Sequence, residues 1–124
     1  MMSKRWIAAV VTAVTCALGA LLLPAAGALA EETPSAVEQG KGIAFDRKKG
    51  NCLACHMIAT GDLPGNIGPP LVAMAMRYPD KAKLRAQIWD STEANPMSTM
   101  PPFGKHLILS EDEIDLVTEF IYVQ

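Results

Sequence analysis

Cys52-Leu53-Ala54-Cys55-His56 is the stretch that decides the fold. Its pattern, C-x-x-C-H, is that of covalent haem attachment. Two thiols three residues apart can reach the two vinyl groups on one edge of a porphyrin, and the histidine directly after them projects to the iron. Two other chemistries share parts of the pattern. A redox-active C-x-x-C pair expects a βαβ context, and no strand pattern competes anywhere in this chain. A zinc site expects four ligands. Cys52, Cys55, His56 and His106 could supply them, so that reading stays open beside the haem reading.

Outward from the motif, both flanks read as helices joined by loops. Ser35 and Glu38 form an S-x-x-E capping box. The helix it opens has apolar contacts at Val37, Ile43, Ala44 and Phe45. Lys48 and Lys49 suit the negative end of that helix, and Gly50 is placed for a left-handed stop. Gly40, inside it, costs about 1 kcal/mol against alanine; close approach of another helix would justify it. Residues 59–71 hold Gly61, Pro64, Gly65, Gly68, Pro69 and Pro70, a density no regular element survives. A short helix is expected over residues 71–76. Another is expected over residues 81–89, opened by Pro79-Asp80, with Leu84 and Ile88 on one face. Residues 91–104 read as loop, broken at Pro96, Pro101 and Pro102.

The last element is the clearest. Ser110 and Glu113 form a second capping box, and Glu111 and Asp112 favour the positive helix start. Ile114, Val117 and Ile121 recur at i, i+3 and i+7, the spacing of a buried helical face, flanked by Phe120. The fold class is therefore all-α, with terminal helices packed together. Structureless loops this long would count against the assignment, unless they wrap one flat cofactor.

A second axial ligand must come from elsewhere in the chain. After the leader described below, the methionines are Met57, Met74, Met76, Met97 and Met100. Met57 follows His56 too closely to reach the other face of a haem. Met74 and Met76 fall on a short helix, where packing accounts for them. Met97 and Met100 lie in the loop before the last helix, and Met100 is followed by Pro101-Pro102-Phe103-Gly104, which gives its thioether a rigid, extended presentation. Met100 is the candidate this reading prefers; Met97 and His106 remain alternatives. The histidine ligand should donate its free ring N–H to a backbone carbonyl, and the Pro69 carbonyl of Gly68-Pro69-Pro70-Leu71 is the natural acceptor. Tyr78 and Trp89 could hydrogen-bond a haem propionate or simply pack. Arg77, Lys81, Lys83 and Arg85 form a basic cluster, read either as a solvated helix face or as a docking patch for an acidic partner. With both axial positions filled by protein, no position is left for substrate, and methionine ligation raises the reduction potential.

The 124 residues suffice for one domain. Lys4 and Arg5 precede an apolar run over residues 6–23, which ends in Pro24 and closes with Ala28-Leu29-Ala30. A positive start, an apolar stretch and an A-x-A site mark a secretory signal peptide, so residues 1–30 are expected to be cut away after Ala30. An uncleaved anchor is the alternative, since the run approaches spanning length. Cys16 lies within the run, and its neighbours Thr15 and Ala17 do not resemble a lipoprotein site. The remaining domain, 31–124, loses two basic residues and keeps 9 against 13 acidic ones, a formal charge of −4. That excludes a nucleic-acid-binding profile. A domain this small has a modest core, and a buried haem would act as its staple.

Taken together, a capped first helix, C-x-x-C-H, a Gly-Pro loop, a Met-Pro loop and a capped last helix resemble class I cytochrome c. A narrower likeness rests on Gly50-Asn51 before the motif, Gly68-Pro69-Pro70-Leu71, and Asn95-Pro96 ahead of Met100-Pro101-Pro102-Phe103-Gly104. Arg77-Tyr78-Pro79, Leu84-Arg85 and Ile88-Trp89-Asp90 add to it. This combination is similar to SoxX, the small monohaem subunit family of the SoxAX cytochrome complexes of bacterial sulfur oxidation.

The resemblance implies a periplasmic protein with one covalent haem c on Cys52 and Cys55, and with His56 and Met100 as iron ligands. It implies three partners: a larger haem subunit, SoxA; a carrier protein with a reactive cysteine; and a soluble acceptor cytochrome. In such complexes thiosulfate is oxidatively joined to the carrier cysteine at the partner's haem, an L-cysteine S-thiosulfotransferase reaction. The small subunit is the non-catalytic member that accepts the electrons and passes them on. A free-standing periplasmic electron shuttle is the other expectation. An apolar patch near the haem edge would favour the first; a charged, salt-sensitive docking face would favour the second.

Overall fold

The structure is a computed structural model that describes residues 33–124. The expected leader, residues 1–30, lies outside the described residues. The elements run in the order α1 (Ala36–Phe45), a 3-10 turn (Cys52–Ala54), α2 (Met74–Arg77), α3 (Lys81–Trp89), α4 (Ser91–Ala94) and α5 (Glu111–Tyr122). Among the described residues there is no strand, only an isolated parallel bridge between Ile58 and Leu71. Among the described residues the fold is all-α, as the periodicity and capping signals imply.

Both capping boxes form. Ser35 Oγ accepts from Glu38 N at 3.2 Å, and Ser35 N donates to the Glu38 carboxylate at 3.0 Å. Ser110 and Glu113 repeat the arrangement at α5, at 3.2 and 3.0 Å. Glu113 also pairs with Lys49, which ties the segment after α1 to the start of α5. That hydrogen bond holds the Glu113 carboxyl below its usual range.

Helix α1 packs on α5, and Gly40 permits the approach. A Cβ at Gly40 would overlap the carbonyl of Leu116 and come within 2.9 Å of Phe120 Cβ. Phe45 meets Phe120 edge to face, with ring centroids 5.5 Å apart. On α5, Ile114, Val117, Phe120 and Ile121 are all buried. The core continues through Ala44, Ile58, Met74, Leu84, Ile88, Phe103 and Leu109. Helix α3 is tied to α5 by ion pairs: Lys81 with Glu119, and Arg85 with Glu111 and Asp115.

Three local expectations need correction. Helix α1 ends at Phe45, with Asp46 as its extended C-cap, so Lys48 and Lys49 follow the helix rather than close it. The left-handed residue is Asn51 (φ 48°), not Gly50; asparagine tolerates that region. Gly50 is needed because it packs on the end of α1, with its N–H on Ile43 O at 3.1 Å and no room for a Cβ against Ala44. Finally, residues 91–94 form helix α4 where loop was expected. Asp90 caps it, accepting from Thr92 N at 2.9 Å. Prolines at 96, 101 and 102 break the chain only after this turn is complete.

Candidate haem-binding site

Residues 52–58 and the Gly-Pro loop lie alongside each other. Gly65 N donates to Leu53 O at 2.7 Å, Gly68 N to Cys55 O at 2.8 Å and Leu71 N to Met57 O at 2.9 Å. The glycines are required by this closeness: a Cβ at Gly65 would overlap the Ala54 carbonyl, and one at Gly68 would sit 2.6 Å from His56 Nδ1. The prolines stiffen the strap between these contacts and bring the Pro69 carbonyl to the imidazole. His56 Nδ1 lies 2.7 Å from Pro69 O. A carbonyl oxygen can only accept, so the proton belongs on Nδ1 and Nε2 keeps its lone pair. Arg77 secures the next residue, donating to Pro70 O at 2.8 Å.

His56 opens onto a cavity of about 560 Å³, which Cys52, Cys55, Met97 and Met100 also line. Its walls include Leu71, Leu84, Ile88, Phe103, Val117 and Ile121, drawn from both central and terminal elements. The two methionines differ. Met97 is 86% exposed, whereas Met100 is half-buried against the core cluster. Met74 is a buried core residue and Met76 is exposed. His106 is exposed and does not line the cavity.

These placements bear on the rival chemistries. Among the described residues no three His, Cys, Asp or Glu side chains gather as a metal site, so His106 does not complete a zinc set with the C-x-x-C-H residues. Burial pushes the Cys52 thiol up to about 11. Redox-active C-x-x-C pairs need the opposite shift. Two thiols, an imidazole with a free ring nitrogen and a thioether share one largely apolar cavity. That donor set and those walls fit a flat iron macrocycle.

The family model described as "Cytochrome C oxidase, cbb3-type, subunit III" matches residues 36–121. The chain belongs to this cytochrome c family. A cytochrome c domain binds haem c covalently and transfers electrons, and the cavity accords with both. The chain is also similar to a protein of Aquifex aeolicus (strain VF5) named "Uncharacterized lipoprotein", with 35% identity over 79 residues. The match takes in 60% of this chain but 37% of that protein, so the cytochrome spans little more than a third of its relative's length.

Two other expectations resolve differently. Tyr78 lines the cavity and Trp89 does not; Trp89 instead packs on Gly104, where a Cβ would overlap its ring, with Arg85 over its face. The basic cluster is partly consumed by internal ties, since Lys81 and Arg85 pair with α5 acids and Arg77 holds Pro70. Sequence reasoning missed the buried pair Asp90 and Ser91. The Asp90-Ser91-Thr92 run stands at the edge of a stretch that reads as loop, and nothing in it marks either residue as part of a site.

Proposed function

We propose that this cytochrome is the electron-accepting, non-catalytic subunit of a SoxAX-type complex. In that complex thiosulfate is joined oxidatively to the cysteine of a carrier protein. The observation that carries the proposal is the Met-Pro-Pro loop: Asn95-Pro96 leads into Met100-Pro101-Pro102-Phe103-Gly104, and Met100 enters the cavity that His56 lines. In this reading Cys52 and Cys55 hold one haem c by thioether bonds. His56 Nε2 and the Met100 sulfur would hold its iron. Pro69, accepting from Nδ1, fixes the plane of the imidazole and raises its basicity. The haem supplies one-electron exchange at iron, at a potential raised by the thioether. With both residues on the iron and the apolar walls around the ring, the protein would leave no iron position for a substrate.

Forming a sulfur–sulfur bond between a thiol and thiosulfate releases two electrons and the thiol proton. A single haem passes those electrons on one at a time. The apolar rim supports a stable partner: Ile67, Met97 and Ile108 line the cavity and are exposed. The internal pairing of Lys81 and Arg85 leaves less charge for a purely electrostatic encounter, which is the need of the alternative, a free-standing shuttle. A periplasmic location, reached through residues 1–30, suits covalent haem attachment and a relative named as a lipoprotein.

The test uses native protein purified from periplasm. Light scattering and a haem-stained denaturing gel are run on the same fraction. A larger haem-bearing chain that co-purifies, and reduction of this haem by thiosulfate with the carrier protein, are the expected results. A monomer carrying a single haem band would overturn the subunit reading and leave the shuttle.

A further inference from the structure

We propose that Ser91 is a positioning residue for the Met100 thioether, acting through the Met100 carbonyl; this rests on the reading of Met100 as axial ligand. Residues 95–105 form a belt whose ends are fastened together. At its base, Gly104 N donates to Trp89 O at 3.1 Å, and Lys105 Nζ donates to Asp90 Oδ2 at 2.6 Å. Asp90 is 3% exposed and also caps α4. The belt leaves α4 through Asn95, whose N–H donates to Ser91 O at 3.1 Å.

Inside the belt, both halves of the Met100 peptide are held. Ser91 Oγ donates to Met100 O at 2.9 Å, and Met100 N donates to Ser98 Oγ at 3.2 Å. Ser91 is 0% exposed, so its hydroxyl serves an internal partner rather than water. Pro101 and Pro102 follow with fixed φ and no N–H of their own. The backbone at Met100 is thus gripped at its amide and its carbonyl and stiffened behind. A thioether is a neutral, weak ligand, and its hold on a metal depends on how firmly it is presented. The short helix α4, in a stretch that the sequence reads as loop, gives Ser91 a rigid mount.

The test is imidazole titration of the oxidised holoprotein, with the sulfur-to-iron charge-transfer band as readout. Imidazole competes with the methionine, so its apparent affinity reports how tightly the thioether is held. Ser91→Ala is expected to raise that affinity roughly five-fold, the worth of one buried neutral hydrogen bond. Ser91→Cys keeps the volume but donates weakly; it should fall between wild type and Ser91→Ala, and it carries the test if Ser91→Ala yields no holoprotein. Thr92→Ala weakens the α4 cap without touching Met100, so its imidazole affinity should match wild type. If the serine variants bind imidazole as wild type does, or if Thr92→Ala shifts equally, the positioning role is wrong. A wild-type protein without the charge-transfer band would instead overturn the Met100 reading, and this proposal with it.

Discussion

Met100 and Asp90 show how single side chains set the site. If Cys52 and Cys55 carry the haem, replacing Met100 by alanine should leave it attached. The reduction potential should fall by a sizeable part of the roughly 0.8 V range that axial ligation spans. Potentiometry decides it, and an unchanged potential would remove Met100 as ligand. Asp90 predicts a pH effect. The Lys105 ammonium, and then the Thr92 hydroxyl, hold its carboxyl down to about 2, below the ordinary value of about 3.9. A depressed folded-state value stabilises the fold above the ordinary value, and that stabilisation is lost as pH falls from about 3.9 toward about 2. Thermal melts of Asp90→Asn and wild type should therefore converge over that range. A constant difference in Tm would contradict the assignment. That Cys52, His56 and Met100 would share one site was legible in the sequence because each lies in a contiguous motif, and all three line the cavity. The roles of Asp90 and Ser91 were not, since their partners, Lys105 and Met100, stand 15 and 9 positions away.

The starts of helices α1 and α5 were readable to the residue, because each begins with a capping box and carries an apolar face of helical period; the end of α1 at Phe45 was not. Their mutual packing was readable too, through Gly40. Gly40→Ala should force the two helices apart at Leu116 and destabilise the domain by about 1–3 kcal/mol, as overpacking does. A calorimetric melt would show a loss of several degrees in Tm; no loss would mean the helices do not cross at this point. Helix α4 escaped because four residues carry too little periodicity, and the prolines around it argued for loop. The basic residues of α3 were ambiguous for a related reason. Charge on a helix face does not reveal that Glu119, Asp115 and Glu111 of α5 stand opposite.

The loops of the whole molecule make sense only around a cofactor. Residues 59–71 and 95–109 carry little regular structure, yet they line the same cavity as the core helices. Without haem, the apolar walls would face an opening of about 560 Å³ at the centre of a small domain, and cavities of far smaller size cost several kcal/mol. The chain expressed without haem attachment should therefore lose its cooperative thermal transition, monitored by near-ultraviolet circular dichroism. A haem-free chain with a native-like melt would show that the core is self-sufficient. Composition alone does not suggest this dependence; the combination of a small core, two cysteines and long Gly-Pro loops does.

The central claim is that Cys52 and Cys55 carry one haem c covalently. Intact mass of the purified, denatured protein tests it most directly. The account predicts the mass of the chain after removal of its leader plus a single haem, and the mass of the bare chain for the Cys52→Ala, Cys55→Ala double variant. A wild-type mass without haem would contradict it.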